Sequence, residues 1–181
     1  VFIKREQDMA HIVVAGAGAW GTALAIAMRN AGCDVTLWTR NLAVMGSAGG
    51  VRENIAYLPG IQVDLAISVT HDIHVMETAD VVMIVVPAQQ VRAFCTQVKP
   101  YLLPDVPLVL CSKGIEQDTL LLMSEVVEGV LPSNPVAILS GPNFADEVAR
   151  GLPSATTLAC EDEALGRDLS FLFQSMAFRP Y

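Results

Sequence analysis

The chain has 181 residues, enough for one domain with a substantial core, and is 52% apolar and 17% charged. Its net charge of −8 argues against nucleic acid or an anionic membrane surface as partner, although a few local cations still allow a small phosphorylated ligand. The apolar excess fits either a face that packs on a further domain or a parallel sheet buried on both faces.

Residues 1–8 (VFIKREQD) read as an upstream extension, because the regular pattern begins at Met9. The uncharged stretch 12–28 is interrupted by Gly16, Gly18 and Gly21 and flanked by Glu6 and Asp8, which is not the layout of a signal peptide. No other uncharged run approaches a membrane span, so no membrane insertion is expected. Short apolar runs at 11–15, 34–38, 81–86, 107–111, 136–139 and 155–159, with a weaker one at 66–69, read as strands. Between them, 20–30, 88–98, 119–130, 143–150 and 163–175 read as helices. This alternation predicts parallel strands joined by crossover helices. Residues 41–59 carry the glycine-rich Met45–Gly50 patch and read as a partly mobile excursion ended by Leu58-Pro59-Gly60. The final Phe178-Arg179-Pro180-Tyr181 reads as the opening of another element.

The first strand runs into Gly16-Ala17-Gly18-Ala19-Trp20-Gly21, a GxGxxG that opens onto a helix. In that pattern Gly16 allows the tight turn, Gly18 lets the backbone approach a pyrophosphate, and Gly21 lets helix and strand pack closely. The helix N-terminus adds free N–H groups and partial positive charge. Together with the strand that follows, the motif predicts a Rossmann-type, doubly wound α/β domain over 9–181 that binds a dinucleotide. The second strand ends in Arg40 where an acidic residue would hold ribose hydroxyls, so a 2′-phosphate, and hence NADPH, is accepted. A solvated arginine at a strand end is the plainer alternative.

Pro87 directs the chain off the strand beside the expected nicotinamide ribose, or marks an ordinary strand-to-helix turn. Lys113, after the 107–111 run, is placed either to meet a phosphate or carbonyl oxygen or simply to face solvent. Ser140-Gly141-Pro142-Asn143 leads into a helix start and forms a second candidate anion site, although Asp146 and Glu147 also suit a simple cap. His71 and His74, three apart on an expected surface helix, lack the neighbours of a metal site. Cys33, Cys95, Cys111 and Cys160 are scattered, which reads as reduced thiols of a cytoplasmic protein, with neither disulfides nor metal.

GAGAWGTALA (16–25), LWTRN (37–41), YLPG (57–60), VVPAQQVR (85–92), SKGIE (112–116) and SGPNFADEVARGLPSA (140–155) occur in one order along the chain. In that combination the sequence resembles the N-terminal domain of bacterial NAD(P)-dependent glycerol-3-phosphate dehydrogenases, departing from their helical character at 45–50. The resemblance implies NAD(P)H contacts by Ala19, Trp20, Arg40 and Asn41, and by Tyr57, Lys113 and Ala145. It implies contacts of Lys113, Gly141 and Asn143 with the phosphate or hydroxyls of dihydroxyacetone phosphate or sn-glycerol 3-phosphate. The family reduces the first to the second, for phospholipid synthesis. A lysine expected beyond Tyr181, in a helical C-terminal domain that also forms a homodimer, protonates the alkoxide. The alternatives are a ketopantoate- or 6-phosphogluconate-type dehydrogenase, which 140–147 disfavours, and a nucleotide-sensing module without catalysis.

Overall fold

A computed structural model describes residues 9–48 and 50–181, and the extension expected over 1–8 lies outside the described residues. In chain order the elements are β1 (His11–Ala15), α1 (Ala19–Asn30), β2 (Asp34–Trp38), β3 (Met45–Ala48), β4 (Val51–Asn54), β5 (Leu58–Val63), β6 (Ser68–Thr70) and β7 (Val81–Ile84). They continue with α2 (Val91–Val98), β8 (Leu108–Leu110), α3 (Met123–Val130), β9 (Val136–Ser140), α4 (Ala145–Ala149), β10 (Ser154–Cys160), α5 (Glu163–Phe173) and β11 (Phe178–Pro180).

Aliphatic and β-branched runs make the central strands, and alternate residues serve opposite faces of one sheet. Ile12 and Val14 enter a core layer shared with α1, α4 and α5, while Val13 and Ala15 enter the layer under α2 and α3. The eight-stranded sheet runs β11-β10-β9-β8-β7-β1-β2-β6. Its stretch β6-β2-β1-β7-β8-β9 is parallel throughout. Ala15 pairs with Trp38 on one side and Ile84 on the other, so the three strands end level. Strand order reverses between β1 and β7, which opens a crevice at their carboxyl ends. This is the expected doubly wound, mostly parallel α/β fold.

Several local expectations are corrected. Residues 41–59 are not an irregular excursion: β3, β4 and β5 form a three-stranded antiparallel sheet. Gly50, at φ 79°, lies in the short connection between β3 and β4, the conformation a tight hairpin demands. Leu58, Ile61 and Val63 of β5 then cover the outer side of α1, and all of Gly21–Met28 is buried. Helix α3 starts at Met123, not near Thr119, because Leu120 takes a positive φ and Glu125 accepts the Leu122 N–H at the true helix start. Helix α4 starts at Ala145 and has five residues. At a rise of ~1.5 Å per residue it spans only about 7 Å, so the chain re-enters the sheet from the end it left, and β10 runs antiparallel to β9. The segment holding His74 is a 3₁₀ stretch, Ile73–Thr78, with His71 outside it. His74 Nδ1 meets Glu77 Oε1 at 2.8 Å, a surface contact that raises its pKa. The closing residues pair with β10 as β11.

Candidate functional site

A cleft of about 720 Å³ lies over the carboxyl ends of β1, β2, β7 and β8. Its floor is the glycine turn, and the three glycines there answer to different demands. Gly16 has φ 125°, and a Cβ on it would stand 2.7 Å from the Val85 carbonyl oxygen. On Gly21 a Cβ would fall 1.7 Å from the Gly16 carbonyl oxygen, so α1 rests directly on the turn. Gly18 differs: its backbone is extended, and among the described residues no atom lies within 4 Å of where a Cβ would be. The protein itself requires glycine at 16 and 21, whereas at 18 the space is left open on the cleft side. Helix α1 begins at Ala19 with no side-chain cap, and its first helical bond runs from the Thr22 N–H to the Gly18 carbonyl. The N–H groups of the first turn therefore face the cleft as an uncapped, partially positive end.

The walls come from strand ends. Arg40 follows β2 on a loop pinned on both sides: the Thr39 N–H donates to the Thr70 carbonyl, and Asn41 Oδ1 accepts from the Ala43 N–H at 3.0 Å. Val85, Val86 and Pro87 leave β7, with the Val86 carbonyl accepting from Ser112 Oγ at 2.6 Å. Cys111 also lines the cleft, but burial drives its thiol pKa far upward, so it stays a protonated wall residue. Lys113 Nζ reaches across to donate to the Gly141 carbonyl at 3.2 Å, which ties the end of β8 to the end of β9.

Every residue expected at the cofactor lines this one cleft, and so does Asn143. Gly141 does not. A Cβ there would meet Asn143 Nδ2 at 2.7 Å and Thr156 Oγ1 at 3.1 Å, so its bareness lets Asn143 fold back against β10. Asn143 Nδ2 is buried and has no hydrogen-bond partner among the described residues. The helix start expected at Asn143 is corrected to Ala145. Asn143 sits two residues before a five-residue helix whose Asp146 is paired with Arg150 at 2.8 Å, so the segment does not start a long helix. Arg40 and Lys113 are the charged side chains on the cleft, and among the described residues no carboxylate lines it. In a chain of net charge −8, that local sign selects anions.

Three supporting contacts escaped the sequence reading. Asn54 of β4 reaches beneath the glycine turn. Gln89 grips the Lys113 loop by both ends of its amide, donating to the Ile115 carbonyl at 2.8 Å and accepting the Gln117 N–H at 3.0 Å. Arg92 holds Glu116 of the same loop. These residues lie inside VVPAQQVR, SKGIE and the 41–59 segment, but nothing local announces partners more than twenty residues away.

Residues 11–166 match the family described as NAD-dependent glycerol-3-phosphate dehydrogenase N-terminus. The chain belongs to this family. It is 47% identical over 168 residues to the glycerol-3-phosphate dehydrogenase [NAD(P)+] of Caulobacter vibrioides, an alignment covering 93% of this chain and 51% of that protein. The Bradyrhizobium protein of the same name is 50% identical over 170 residues, covering 94% and 52%. The crystal structure of the Coxiella burnetii glycerol-3-phosphate dehydrogenase superposes with a TM-score of 0.84 at 31% identity, covering 96% of this chain and 53% of that one. The chain thus spans about half the length of these relatives. Membership sets aside the ketopantoate and 6-phosphogluconate alternatives. No helix among the described residues is long and apolar enough to cross a membrane, and no cluster of His, Cys, Asp or Glu among them is arranged to hold a metal ion.

Proposed function

We propose that residues 9–181 are the cofactor domain of a cytoplasmic, homodimeric enzyme that reduces dihydroxyacetone phosphate to sn-glycerol 3-phosphate with NAD(P)H, for glycerophospholipid synthesis. The observation that carries this reading is the cleft itself, lined among the described residues by two cations and no carboxylate, over an uncapped helix N-terminus. A dinucleotide fits the groups present: the open face of Gly18 leaves room for a pyrophosphate, and the first N–H groups of α1 offer it donors. Arg40 would pair with a 2′-phosphate, and the Val85–Pro87 backbone would flank the nicotinamide ribose.

Bound NAD(P)H supplies the hydride. Lys113 would meet a substrate phosphate or carbonyl oxygen, and the Asn143 amide, unpartnered among the described residues, would offer that substrate a donor once turned out from β10. Gly141 acts through both, by its carbonyl and by its bareness. Protonation of the alkoxide falls to a lysine outside residues 1–181, the contribution of a general acid being about a hundred- to ten-thousandfold in rate. The test is absorbance loss of reduced nicotinamide with dihydroxyacetone phosphate, on this chain and on one extended to the relatives' length. Turnover by the extended protein alone supports the reading, and equal turnover by the 181-residue chain overturns the division of labour.

A further inference from the structure

Asn54 is fully buried at the end of β4, and its amide is engaged at both ends. Its Nδ2 donates to the Ala17 carbonyl at 2.9 Å and to Thr22 Oγ1 at 2.7 Å. Its Oδ1 accepts the Tyr57 N–H at 3.0 Å. One planar group thus joins the middle of the glycine turn, the first turn of α1 and a cleft-wall residue in the turn between β4 and β5. Asn54 does not itself line the cleft.

The bond to Ala17 has a directional consequence. In a trans peptide the carbonyl and the following N–H point opposite ways. Holding the Ala17 carbonyl down onto Asn54 therefore turns the Gly18 N–H away from Asn54, out of the protein's underside. Were that peptide to rotate, a carbonyl oxygen would face an incoming anion in place of a donor. Only an amide of this length gives two donors and an acceptor here: aspartate lacks the donors, and leucine lacks everything but the shape. A buried polar group with its partners in place fixes one arrangement, because every alternative leaves an atom unpaired.

We infer that Asn54 is a positioning residue for the cofactor: it sets the orientation of the Ala17–Gly18 peptide for the pyrophosphate and locks Tyr57's wall to that same turn. The inference rests on the cofactor reading above. It requires that losing Asn54 weaken NADH and NADPH alike, since the pyrophosphate is common to both.

The experiment is a fluorescence titration of the chain with NADH and NADPH, at a temperature where circular dichroism shows each variant fully folded. Asn54→Leu is expected to weaken both cofactors by about tenfold or more, since small misplacements of a binding group are costly. Thr22→Val, nearly isosteric, removes one partner of Nδ2 and gives a smaller loss if Asn54→Leu proves too unstable to use. The double variant should bind no worse than Asn54→Leu alone, because both changes break one link. Glu53→Ala is the control for general loosening of the small sheet, since among the described residues its side chain accepts the Gly60 N–H at 2.6 Å and makes no other side-chain contact of this kind, and it should leave both affinities within about twofold. Asn54→Leu and Thr22→Val binding like the wild type, or Glu53→Ala losing as much as either, overturns the positioning role. A wild-type chain that binds neither cofactor instead overturns the cofactor reading itself.

Discussion

Arg92 and Glu116 meet as a two-pronged pair, Nε to Oε1 at 2.8 Å and Nη2 to Oε2 at 2.7 Å, which fastens the first turn of α2 to the loop that carries Lys113. Thr119 Oγ1 also donates to Glu116 Oε2. The Glu116 side chain is only 13% exposed while Arg92 is 42% exposed, so the carboxylate is the shielded partner of a two-pronged bridge at the surface. It holds a loop that runs from β8 to α3 with little regular structure of its own.

The pair makes stability depend on acid in a definite window. Hydrogen bonds from Arg92 and then Thr119 hold the Glu116 carboxyl down from its ordinary 4.5 to about 2. A carboxyl lowered on folding stabilises the fold fully above its unfolded pKa and loses that contribution as pH falls toward the folded one. Glu116→Gln should therefore melt below the wild type at pH 7, by a few degrees. The gap should close progressively between about pH 4.5 and 2. Thermal unfolding of both proteins across that range checks it, and a gap that is constant with pH would contradict it.

Gly21→Ala tests the packing role of the third glycine. The added carbon would fall 1.7 Å from a backbone oxygen, which no side-chain motion relieves. The expected loss is about 3 kcal/mol or more by denaturant titration, at the upper end of overpacking effects. A variant as stable as the wild type would mean that α1 does not rest on the turn as described.

Much of this site was legible in the chain because its signals are local. Gly16, Gly18 and Gly21 sit between a strand and a helix, and Arg40 and Lys113 stand at the ends of apolar runs, so each could be placed by its immediate neighbours. Asn54, Gln89 and the Arg92–Glu116 pair were not legible, since each matters through a partner distant in sequence. The small sheet was missed for a related reason. Met45-Gly46-Ser47-Ala48 is poor in β-branched residues, and the glycines of the Met45–Gly50 patch read as a break in a helix, whereas Gly50 lies at a hairpin. Helix α4 was overextended because Pro142 and Asn143 look like a helix start while Phe144 is the residue that flanks it.

Arg40→Asp should separate the two cofactors. A carboxylate repels a 2′-phosphate and accepts from a free hydroxyl, so NADPH should lose about 1.5–3 kcal/mol of affinity while NADH changes much less. Paired fluorescence titrations measure this. Equal losses for both would remove Arg40 from the adenosine end.

Asn143 offers a prediction of opposite sign for stability and binding. Its Nδ2 is buried without a partner among the described residues, a condition that costs about 1–3 kcal/mol. Asn143→Ala should leave the ligand-free fold as stable as the wild type or more so. In the protein extended to family length, the same change should raise the KM for dihydroxyacetone phosphate. A destabilised fold with unchanged KM would assign Asn143 to packing alone.

The most direct test of the central claim is a titration of this chain and its Gly18→Val variant with NADPH, read by the fluorescence of the reduced nicotinamide. Among the described residues nothing lies within 4 Å of a Cβ at position 18, so the variant should fold as the wild type does while its side chain fills the space proposed for the pyrophosphate. Saturable one-to-one binding by the wild type, abolished in the folded variant, is the expected result. No binding by the wild type, or equal binding by both proteins, would contradict the assignment of the cleft to a dinucleotide.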